Sequence, residues 1–394
     1  MAKVRLGLVG KPNAGKSTLF SAITARAAEI GNYPFTTIKP NIGLGFIEAK
    51  CPETEIGTKC NPREGSCSGG IRRIPVEIID VPGLIEGASL GKGMGNEFLE
   101  NVRESEALLL VFDASGKTGL DGTPVEDKID PEAEIEMVKS EIARWMSSRL
   151  SRGWERFASR EEATNQHPTT SLLRKLSISG INEQALLSAL TSEGFPLRLS
   201  MWKEEDFFRF SEMFLARFKP IVLVGNKVDA ADPDTIQRIR VKHPDAIFTS
   251  GDFELALSRA AQAGLASVSG KTVSPAENAT GPQKKALARI QEVISLPFYA
   301  SPEAIMTGVV RDRLERIAVY PVQDESKWAD GQGNVLPDCY MVRKGTTALD
   351  LAFRVHSEIG EGFIKAIDCR RRMVISKDHE LNDSDVISII SRSR

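Results

Sequence analysis

An eight-residue segment near the N-terminus combines the residue types and the spacing that hold phosphate groups. The segment, Gly10 to Ser17, reads GKPNAGKS and matches the pattern G-x-x-x-x-G-K-[ST]. In this pattern glycines let backbone NH groups approach phosphate oxygens, the lysine places a positive charge at the β- and γ-phosphates, and the hydroxyl ligates Mg²⁺. An apolar run precedes the segment and a helical pattern follows it, as the motif requires. The predicted nucleotide-binding residues here are Asn13, Ala14, Gly15, Lys16, Ser17 and Thr18.

Two further motifs would complete a nucleotide site. Asp80-Val-Pro-Gly83 ends a predicted strand, where its carboxylate can hold the Mg²⁺ shell and its glycine NH can sense a γ-phosphate. Asn226-Lys227-Val-Asp229 also follows an apolar run. The Asp229 carboxylate can accept hydrogen bonds from N1 and N2 of guanine, whereas adenine offers no such pair of donors. Asn226 would bridge the base and the phosphate loop, and the stem of Lys227 would pack over the base. The three motifs together predict a guanine nucleotide site.

Alternating strand-like and helical patterns would position these motifs. Short apolar runs predict buried parallel strands, and residues 17–30, between the first two runs, have helical character. This alternation is typical of an α/β doubly wound sheet with helices on both faces. The predicted strands are 4–9, 42–49, 74–81, 108–113, 221–224 and 246–248.

Two stretches depart from this alternation. Between residues 131 and 217 apolar residues recur at helical spacing, which predicts a helical insertion. After Arg316 a small mixed unit begins, with strands predicted at 317–322, 335–342, 374–375 and 386–390 and a helix at 347–359. Thr347 and Asp350 form a capping-box pattern at the start of that helix, and Gly360 occupies the position expected of a C-cap glycine.

The composition of the 394-residue chain is that of an average globular protein, with 41% apolar and 26% charged residues and a net charge of −2. The length predicts two or three domains, and the composition excludes disordered, collagen-like and strongly basic proteins. No apolar run approaches the ~20 residues that cross a bilayer, and the N-terminal run is too short for a signal peptide. We therefore expect a cytoplasmic protein with no membrane partner.

Three of the five cysteines, Cys51, Cys60 and Cys67, fall in one glycine-rich insert between two predicted strands. Three thiols could bind zinc, but their spacing is not of the C-x-x-C type and no histidine lies nearby in the sequence to complete four ligands. We therefore expect reduced, free thiols.

Histidine and arginine residues give weaker indications. The four histidines fall in different predicted segments, so a histidine-activated nucleophile has no support. His356 is expected to be a partly buried residue of the C-terminal helix. Arg370, Arg371 and Arg372 either form a solvated strand edge or contact RNA phosphates, and the lack of interleaved aromatic residues favours the edge.

Taken together, the motifs resemble the Obg class of translation-associated GTPases. The segments that carry the resemblance are the phosphate loop, Asn32 to Asn41 (NYPFTTIKPN), Asp80 to Gly87 (DVPGLIEG), Gly91 to Phe98 (GKGMGNEF) and Asn226 to Asp229 (NKVD). The helical insertion before Asn226 and the C-terminal segments LPD (336–338) and KGTTALDLA (344–352) resemble, more narrowly, the YchF branch with its TGS domain, especially archaeal and fungal members.

The resemblance implies a six-stranded G domain, a helical hairpin insertion and a ubiquitin-like β-grasp TGS domain. We assign residues 1–128 and 218–300 to the G domain, 129–217 to the insertion and 315–394 to the TGS domain. GTP and GDP would be the ligands, and the ribosome or RNA would be a partner, contacted through the TGS and helical domains. A rival hypothesis is an RNA- or ribosome-binding adaptor in which nucleotide hydrolysis is incidental.

The resemblance also implies roles for further residues. Thr37 would be the switch threonine that reaches Mg²⁺ when γ-phosphate is present, and Ser250 and Gly251 would donate backbone NH groups to the guanine oxygen. Ser269 to Lys271 has a similar sequence but follows a helical stretch, so it is expected to be a decoy. The GTP and GDP states would differ in the order of the Thr37 segment and of residues 87–95. The predicted catalytic residues are Lys16, Thr37 and Gly83, and the predicted Mg²⁺ ligands are Ser17, Thr37 and Asp80.

Three positions bear on nucleotide choice and rate. Many YchF relatives replace the last Asp of the base motif and prefer ATP, whereas Asp229 is retained here, which favours GTP. Leu84 stands where Ras-like proteins carry the glutamine that orients water, so unassisted hydrolysis should be slow, as in a switch. Asn13 stands where similar K⁺-dependent GTPases place a K⁺ ligand, or it only braces the loop through hydrogen bonds.

Overall fold

The computed structural model describes residues 3–31, 37–39, 41–84, 87, 101–178 and 181–392, with the backbone alone at 28–31 and 37–39. Within them the strands are β1 (Arg5–Val9), β2 (Thr37–Lys39), β3 (Ile42–Lys50), β4 (Ser66–Ser68), β5 (Ile71–Asp80), β6 (Ala107–Asp113), β7 (Ile221–Asn226), β8 (Ile247–Phe248), β9 (Ala266–Ser269), β10 (Thr272–Pro275), β11 (Arg316–Val322), β12 (Tyr340–Arg343), β13 (Phe363–Asp368), β14 (Met373–Ile375) and β15 (Val386–Ser391).

Helices alternate with these strands over much of the chain. They are α1 (Lys16–Gly31), α2 (Glu53–Ile56), α3 (Pro131–Ser151), α4 (Trp154–Ala163), α5 (Pro168–Leu176), α6 (Glu183–Ser192), α7 (Glu204–Phe218), α8 (Pro233–Lys242), α9 (Gly251–Gln262), α10 (Gly281–Ile294), α11 (Pro302–Gly308), α12 (Ala348–Val355) and α13 (Ser357–Glu361). Within the described residues, no helix is both long enough and apolar enough to cross a membrane.

The chain forms two compact units. Unit A comprises Leu6–Ser17 and Ile79–Gly251, and unit B comprises Met1–Arg5, Thr18–Ile78 and Asp252–Arg394. Each unit is therefore built from segments that are distant in the sequence.

Unit A contains parallel strands in the order β1-β6-β7-β8. Leu8 pairs with Leu109, Leu109 pairs with Val222, and all seven residues of β6 are buried. Just after β5, the Val81 NH donates a hydrogen bond to the Leu8 carbonyl at 3.1 Å. Burial on both faces explains the uninterrupted apolar runs in the sequence, and the predicted α/β doubly wound sheet is confirmed.

The predicted helical insertion is also confirmed, and it is larger than a hairpin. Helices α3 and α7 pack against each other, and three shorter helices, α4 to α6, connect them. Asp130 caps α3 by accepting a hydrogen bond from the Glu132 NH, with Pro131 in the first turn. The apolar stripe of α7, including Phe210 and Phe214, is buried.

Six of the eight strands from β1 to β8 were predicted, namely β1, β3, β5, β6, β7 and β8. The two that were not predicted are the short strands β2 and β4. Strand β4 was not predicted, because Ser66-Cys-Ser68 has no apolar pattern. The hairpin of β9 and β10 in unit B was not predicted either, because its alternation covers only four residues on each side.

The C-terminal part of unit B is a five-stranded mixed sheet in the order β12-β11-β15-β13-β14, covered by α12. Strands β11 and β15 are parallel and the other pairs are antiparallel. Its core includes Val319, Val342, Leu351, Leu381 and Ile387. This arrangement confirms the predicted β-grasp domain.

Three details of that domain differ from the sequence-based predictions. The strand expected at 335–342 begins only at Tyr340, because Leu336 has a left-handed backbone (φ 44°) and Pro337 has no NH to donate. The helix expected at 347–359 is interrupted at His356, which is extended and exposed rather than helical and partly buried. The C-cap of α13 is Gly362, so Gly360, the predicted C-cap, lies inside that helix. The capping box of Thr347 and Asp350 is confirmed.

Candidate nucleotide-binding site

The phosphate loop, residues 10–17, follows β1 and lies in unit A. Gly10 has φ 154°, and a Cβ there would lie 2.2 Å from the Val111 carbonyl oxygen, so only glycine fits. The buried Lys16 ammonium donates to the carbonyls of Gly10 at 3.1 Å and Lys11 at 2.8 Å. Burial lowers the pKa of Lys16, and the charges of Asp80 and Glu134 act against this. The loop therefore holds a positive charge at its centre.

Two of the predicted Mg²⁺ ligands lie in contact. The Ser17 hydroxyl donates to Oδ2 of Asp80 at 2.7 Å, and the buried Oδ1 of Asp80 has no hydrogen-bond partner among the described residues. Burial raises the pKa of Asp80, while the Ser17 hydrogen bond and the Lys16 charge lower it. A hydroxyl beside a carboxylate with an unpaired oxygen is a donor set that suits Mg²⁺. The third predicted ligand, the Thr37 side chain, lies outside the described residues, although its backbone begins β2.

The Asp80-Val-Pro-Gly83 segment packs closely on the phosphate loop. A Cβ on Gly83 would lie 2.9 Å from the Pro12 nitrogen, so a larger residue would push the two loops apart. The Leu84 NH donates to the Gly10 carbonyl at 2.9 Å, and the Leu84 side chain is fully buried. Residues 88–95, the rest of the predicted switch segment, lie outside the described residues.

Asn226, at the end of β7, forms hydrogen bonds with two loops. Its Nδ2 donates to the Ala14 carbonyl at 3.0 Å, and its Oδ1 accepts from the Gly251 NH at 2.8 Å. Gly15 (φ 92°) makes room for this side chain, because a Cβ there would lie 2.1 Å from Asn226 Nδ2. The amide thus fixes the phosphate loop against the loop that precedes α9.

Lys227 and Asp229 lie beside the same loops. Lys227 has a left-handed backbone (φ 61°), and its ammonium donates to the Asn13 carbonyl at 2.6 Å and to Asp113 Oδ2 at 3.0 Å. The partly exposed Asp229 accepts from the Ser250 hydroxyl at 2.6 Å. The structure therefore brings together the base motif and Ser250-Gly251, which are more than 20 residues apart in the sequence.

The structure also describes Asn13, the predicted K⁺ ligand, and residues 269–271, the predicted decoy. Asn13 has φ 59°, and its Nδ2 donates to the Gly122 carbonyl at 2.9 Å, which agrees with the bracing alternative. Ser269 to Lys271 forms the turn between β9 and β10 in unit B, whereas Ser250 and the base motif belong to unit A.

A buried network that no sequence motif predicted lies beneath the phosphate loop. Asp113 accepts from the hydroxyl of Ser115 at 2.6 Å, from the Thr118 hydroxyl and from Lys227. Burial alone would raise the pKa of Asp113, but these hydrogen bonds lower it below its usual value. The one sequence signal is its position, because a carboxylate at the carboxyl end of a buried strand faces the loop edge of the sheet.

A buried ion pair continues this network. Lys11 Nζ lies 2.9 Å from Glu134 Oε2, and both side chains are about 1% exposed. The Asp113 NH donates to the same Glu134 oxygen at 3.1 Å. Burial raises the pKa of Glu134 to about 7, and the charge of Lys11 opposes this rise. Glu134 lies in the first turn of α3, so the pair connects the phosphate loop to the helical insertion.

Comparison with known proteins places these motifs in families. Residues 5–149 match the family described as 50S ribosome-binding GTPase, and residues 224–324 match the Obg-like GTPase YGR210-like, G4 motif-containing domain. Residues 332–391 match the TGS domain. An uncharacterized GTP-binding protein of Methanocaldococcus jannaschii is 40% identical over 99% of both chains. The chain belongs to the Obg-class GTPases of the YchF branch.

Other relatives of this YchF-branch GTPase agree with that placement. A crystal structure of a GTP-binding protein from Pyrococcus horikoshii OT3 has 32% identity and a TM-score of 0.79, covering 99% of this chain and all of that one. The ribosome-binding ATPase YchF of Bacillus subtilis is 31% identical over 59% of this chain and 60% of its own length. The predicted family and fold class are therefore confirmed.

Proposed function

We propose that this YchF-branch protein binds GTP and Mg²⁺ at the loops of unit A, hydrolyses GTP slowly to GDP and phosphate, and acts as a switch on ribosomes. The observation that carries the proposal is the Asn226 side chain, which joins the phosphate loop to the Ser250-Gly251 loop through bonds of 3.0 and 2.8 Å. A phosphate site and a base site fixed at one distance suit a nucleotide. In this proposal the G domain is 1–128 with 218–300, the insertion 129–217 and the TGS domain 315–394.

Guanine would be selected by Asp229. Its carboxylate presents two acceptor oxygens, of which Oδ1 is oriented by the Ser250 hydroxyl at 2.6 Å. Guanine N1 and N2 are donors that match two acceptors, whereas adenine would meet the carboxylate with a ring acceptor. The backbone NH groups of Ser250 and Gly251 would donate to the guanine oxygen, and the Lys227 stem would cover the base. Asp229 therefore favours GTP over the ATP that is named for the Bacillus subtilis relative.

Phosphate binding would redirect Lys16. Its ammonium donates to the carbonyls of Gly10 and Lys11 at 3.1 and 2.8 Å, and phosphate oxygens are stronger, charged acceptors. Ser17 and Asp80 would hold Mg²⁺ with Thr37, and the ion would neutralise charge that develops on the β- and γ-phosphates. The NH of Gly83 would donate to the γ-phosphate. Release of that contact on hydrolysis would signal the GDP state.

Hydrolysis without a partner should be slow. Leu84 follows Gly83 directly and is fully buried, so it neither reaches nor hydrogen-bonds an attacking water. The ribosome is proposed as the partner because one matching family is described as ribosome-binding and one relative is named for that property. Contacts with ribosomal RNA or protein would involve the TGS and helical domains.

The test compares Lys16→Ala with Lys271→Ala, a matched removal of an exposed lysine from the decoy segment. Lys271 donates only to the Leu296 carbonyl among the contacts described for its ammonium, at 3.0 Å, so its loss should leave nucleotide chemistry intact. We expect Lys16→Ala to abolish single-turnover GTP hydrolysis in Mg²⁺ and nucleotide-dependent ribosome association, and Lys271→Ala to retain both. Ribosome association and cellular function that survive in Lys16→Ala would favour the adaptor hypothesis and contradict the switch.

A further inference from the structure

The glycine-rich insert of unit B brings four candidate metal ligands together. The Sγ atoms of Cys51, Cys60 and Cys67 and a carboxylate oxygen of Glu53 all lie within 4.8 Å of one another. Cys51 and Cys60 are buried, Cys67 is partly exposed, and no disulfide links the cysteines. The cluster lies in unit B, whereas the loops described for the nucleotide site lie in unit A.

Two strands, a short helix and a turn position three of the four side chains. Cys51 directly follows β3, and its NH donates to the Gly70 carbonyl at 2.8 Å. Glu53 opens α2, and Cys67 is the central residue of β4. The turn from β4 to β5 consists of Gly69 and Gly70, which have φ values of 59° and 75°. This tight turn returns Cys67 towards the end of β3.

We propose that Cys51, Cys60, Cys67 and Glu53 bind one Zn²⁺ ion. With a Zn–S distance of about 2.3 Å, two thiolates on a zinc tetrahedron lie about 3.8 Å apart. Cys51 Sγ and Cys60 Sγ are 3.8 Å apart, and Cys67 Sγ lies 3.2 Å from Glu53 Oε1. The four ligand atoms therefore have the dimensions of a small tetrahedral site. Glu53 supplies the fourth ligand, in place of the histidine that the nearby sequence lacks.

Neighbouring groups orient the ligands and balance their charge. The Cys60 NH donates to Glu53 Oε2 at 2.8 Å, which holds the carboxylate with its other oxygen towards Cys67. Three thiolates and a carboxylate exceed the charge of Zn²⁺ by two negative units. The Arg72 guanidinium, which is 1% exposed, lies 3.7 Å from Cys60 Sγ and offsets part of this excess.

The same arginine indicates what the zinc would do. Arg72 donates to the carbonyls of Leu336 at 3.1 Å and Pro337 at 2.9 Å, which belong to the β-grasp domain. Beside it, the Asn61 NH donates to the Val335 carbonyl and the Arg63 NH to the Pro337 carbonyl. With four protein ligands the ion would be structural, and it would fix the insert in the shape that holds the 335–337 loop.

Metal analysis of the full chain, expressed without a tag and purified without chelators, tests the proposal. We expect one zinc per chain, and after exchange a Co²⁺ spectrum with thiolate-to-cobalt charge transfer and intense tetrahedral bands. Cys60→Ser and Cys67→Ser should each lose the zinc, whereas the control Cys369→Ser, which removes a buried thiol outside the cluster, should retain it.

A second variant keeps the test decisive if the serine variants fail to fold. Cys67→His should retain stoichiometric zinc, because imidazole is also a zinc ligand. Its Co²⁺ form should lose about a third of the charge-transfer intensity, because two thiolates remain of three. The proposal is overturned if the unmodified chain contains no stoichiometric zinc and its Co²⁺ form shows only weak octahedral bands. A Cys51–Cys60 disulfide in freshly purified protein, or zinc retained in both Cys60→Ser and Cys67→Ser, would overturn it equally.

Discussion

We propose that the choice of nucleotide depends on Asp229. Asp229→Asn replaces an acceptor by an amide that presents a donor to guanine N1 or N2, so GTP affinity should fall by about tenfold to more than a hundredfold, or about 1.5–3 kcal/mol. Xanthine carries an oxygen in place of the guanine amine, so xanthosine triphosphate should bind the variant better than the unmodified protein. Calorimetric titration of both nucleotides measures the two changes.

The control for this substitution is Asp234→Asn, an exposed carboxylate in the first turn of α8, five residues along the chain. It should bind GTP as the unmodified protein does. Equal GTP affinity in the two variants would remove Asp229 from the base site.

Asn13 carries a prediction about the counter-ion of hydrolysis. A monovalent cation near the bridging oxygen between the β- and γ-phosphates would stabilise the negative charge that develops there, so GTP hydrolysis should be faster in K⁺ than in Na⁺ at equal ionic strength. The difference should disappear in Asn13→Ala. Single-turnover phosphate release measures the chemical step alone. Equal rates in the two salts, with and without ribosomes, would leave Asn13 only the bond to Gly122.

At the scale of elements, the buried Lys11–Glu134 pair connects the phosphate loop to α3. At about pH 8, where Glu134 is mostly ionised, Glu134→Gln would remove the carboxylate that balances the buried Lys11 charge. Although Lys11 keeps its hydrogen bond to the Thr118 carbonyl at 2.6 Å, the free energy of unfolding should fall by about 3–5 kcal/mol. Exposed pairs contribute about 1 kcal/mol or less, so the control Glu136→Gln, on the same helix, should change little. Urea unfolding followed by tryptophan fluorescence measures both. A loss of stability no larger than that of the control would contradict a stabilising role of the buried pair.

The ionisation of the buried Glu254 should make the stability of unit B depend on pH. Glu254 lies buried in α9 and accepts from the Tyr299 hydroxyl at 2.8 Å, and burial raises its pKa from 4.5 to about 7. A raised pKa in the folded state means that the protonated form is favoured, so this contribution is complete below about pH 4.5 and is lost as pH rises through 7. The loss is at most about 3 kcal/mol.

The experiment compares unfolding free energies between pH 5 and 8 for the unmodified chain, Glu254→Gln and the exposed-site control Glu292→Gln. As pH rises, the free energy of unfolding of the unmodified chain should fall relative to that of Glu254→Gln. The free energy of unfolding of Glu292→Gln should follow that of the unmodified chain. A difference that does not vary with pH would show that Glu254 stays ionised throughout.

The sequence predicted most elements of the sheet because burial on both faces requires continuous apolar runs, as in β6. It failed where backbone conformation decided the outcome. Leu336 (φ 44°) delays β12, and the extended His356 divides the predicted C-terminal helix, although neither residue type requires such a conformation. Local patterns contain little information of this kind.

The candidate site shows the same division. The motif residues carry recognisable spacings, so the sequence identified the loops that the structure joins through Asn226. It could not identify Glu134 or Glu53, because their importance comes from partners distant in the sequence, Lys11 and Cys67 respectively. Contacts across many residues become visible only when the chain is folded.

For the whole molecule, the proposed switch requires GTP to bind to the joined loops of unit A. Titration of the full, nucleotide-free chain with GTP, GDP and ATP side by side in Mg²⁺ tests this requirement. We expect GTP and GDP to bind at least tenfold more tightly than ATP, which corresponds to about 1.4 kcal/mol or more. ATP binding that equals or exceeds GTP binding would contradict the assignment of Asp229 and, with it, the proposed GTPase.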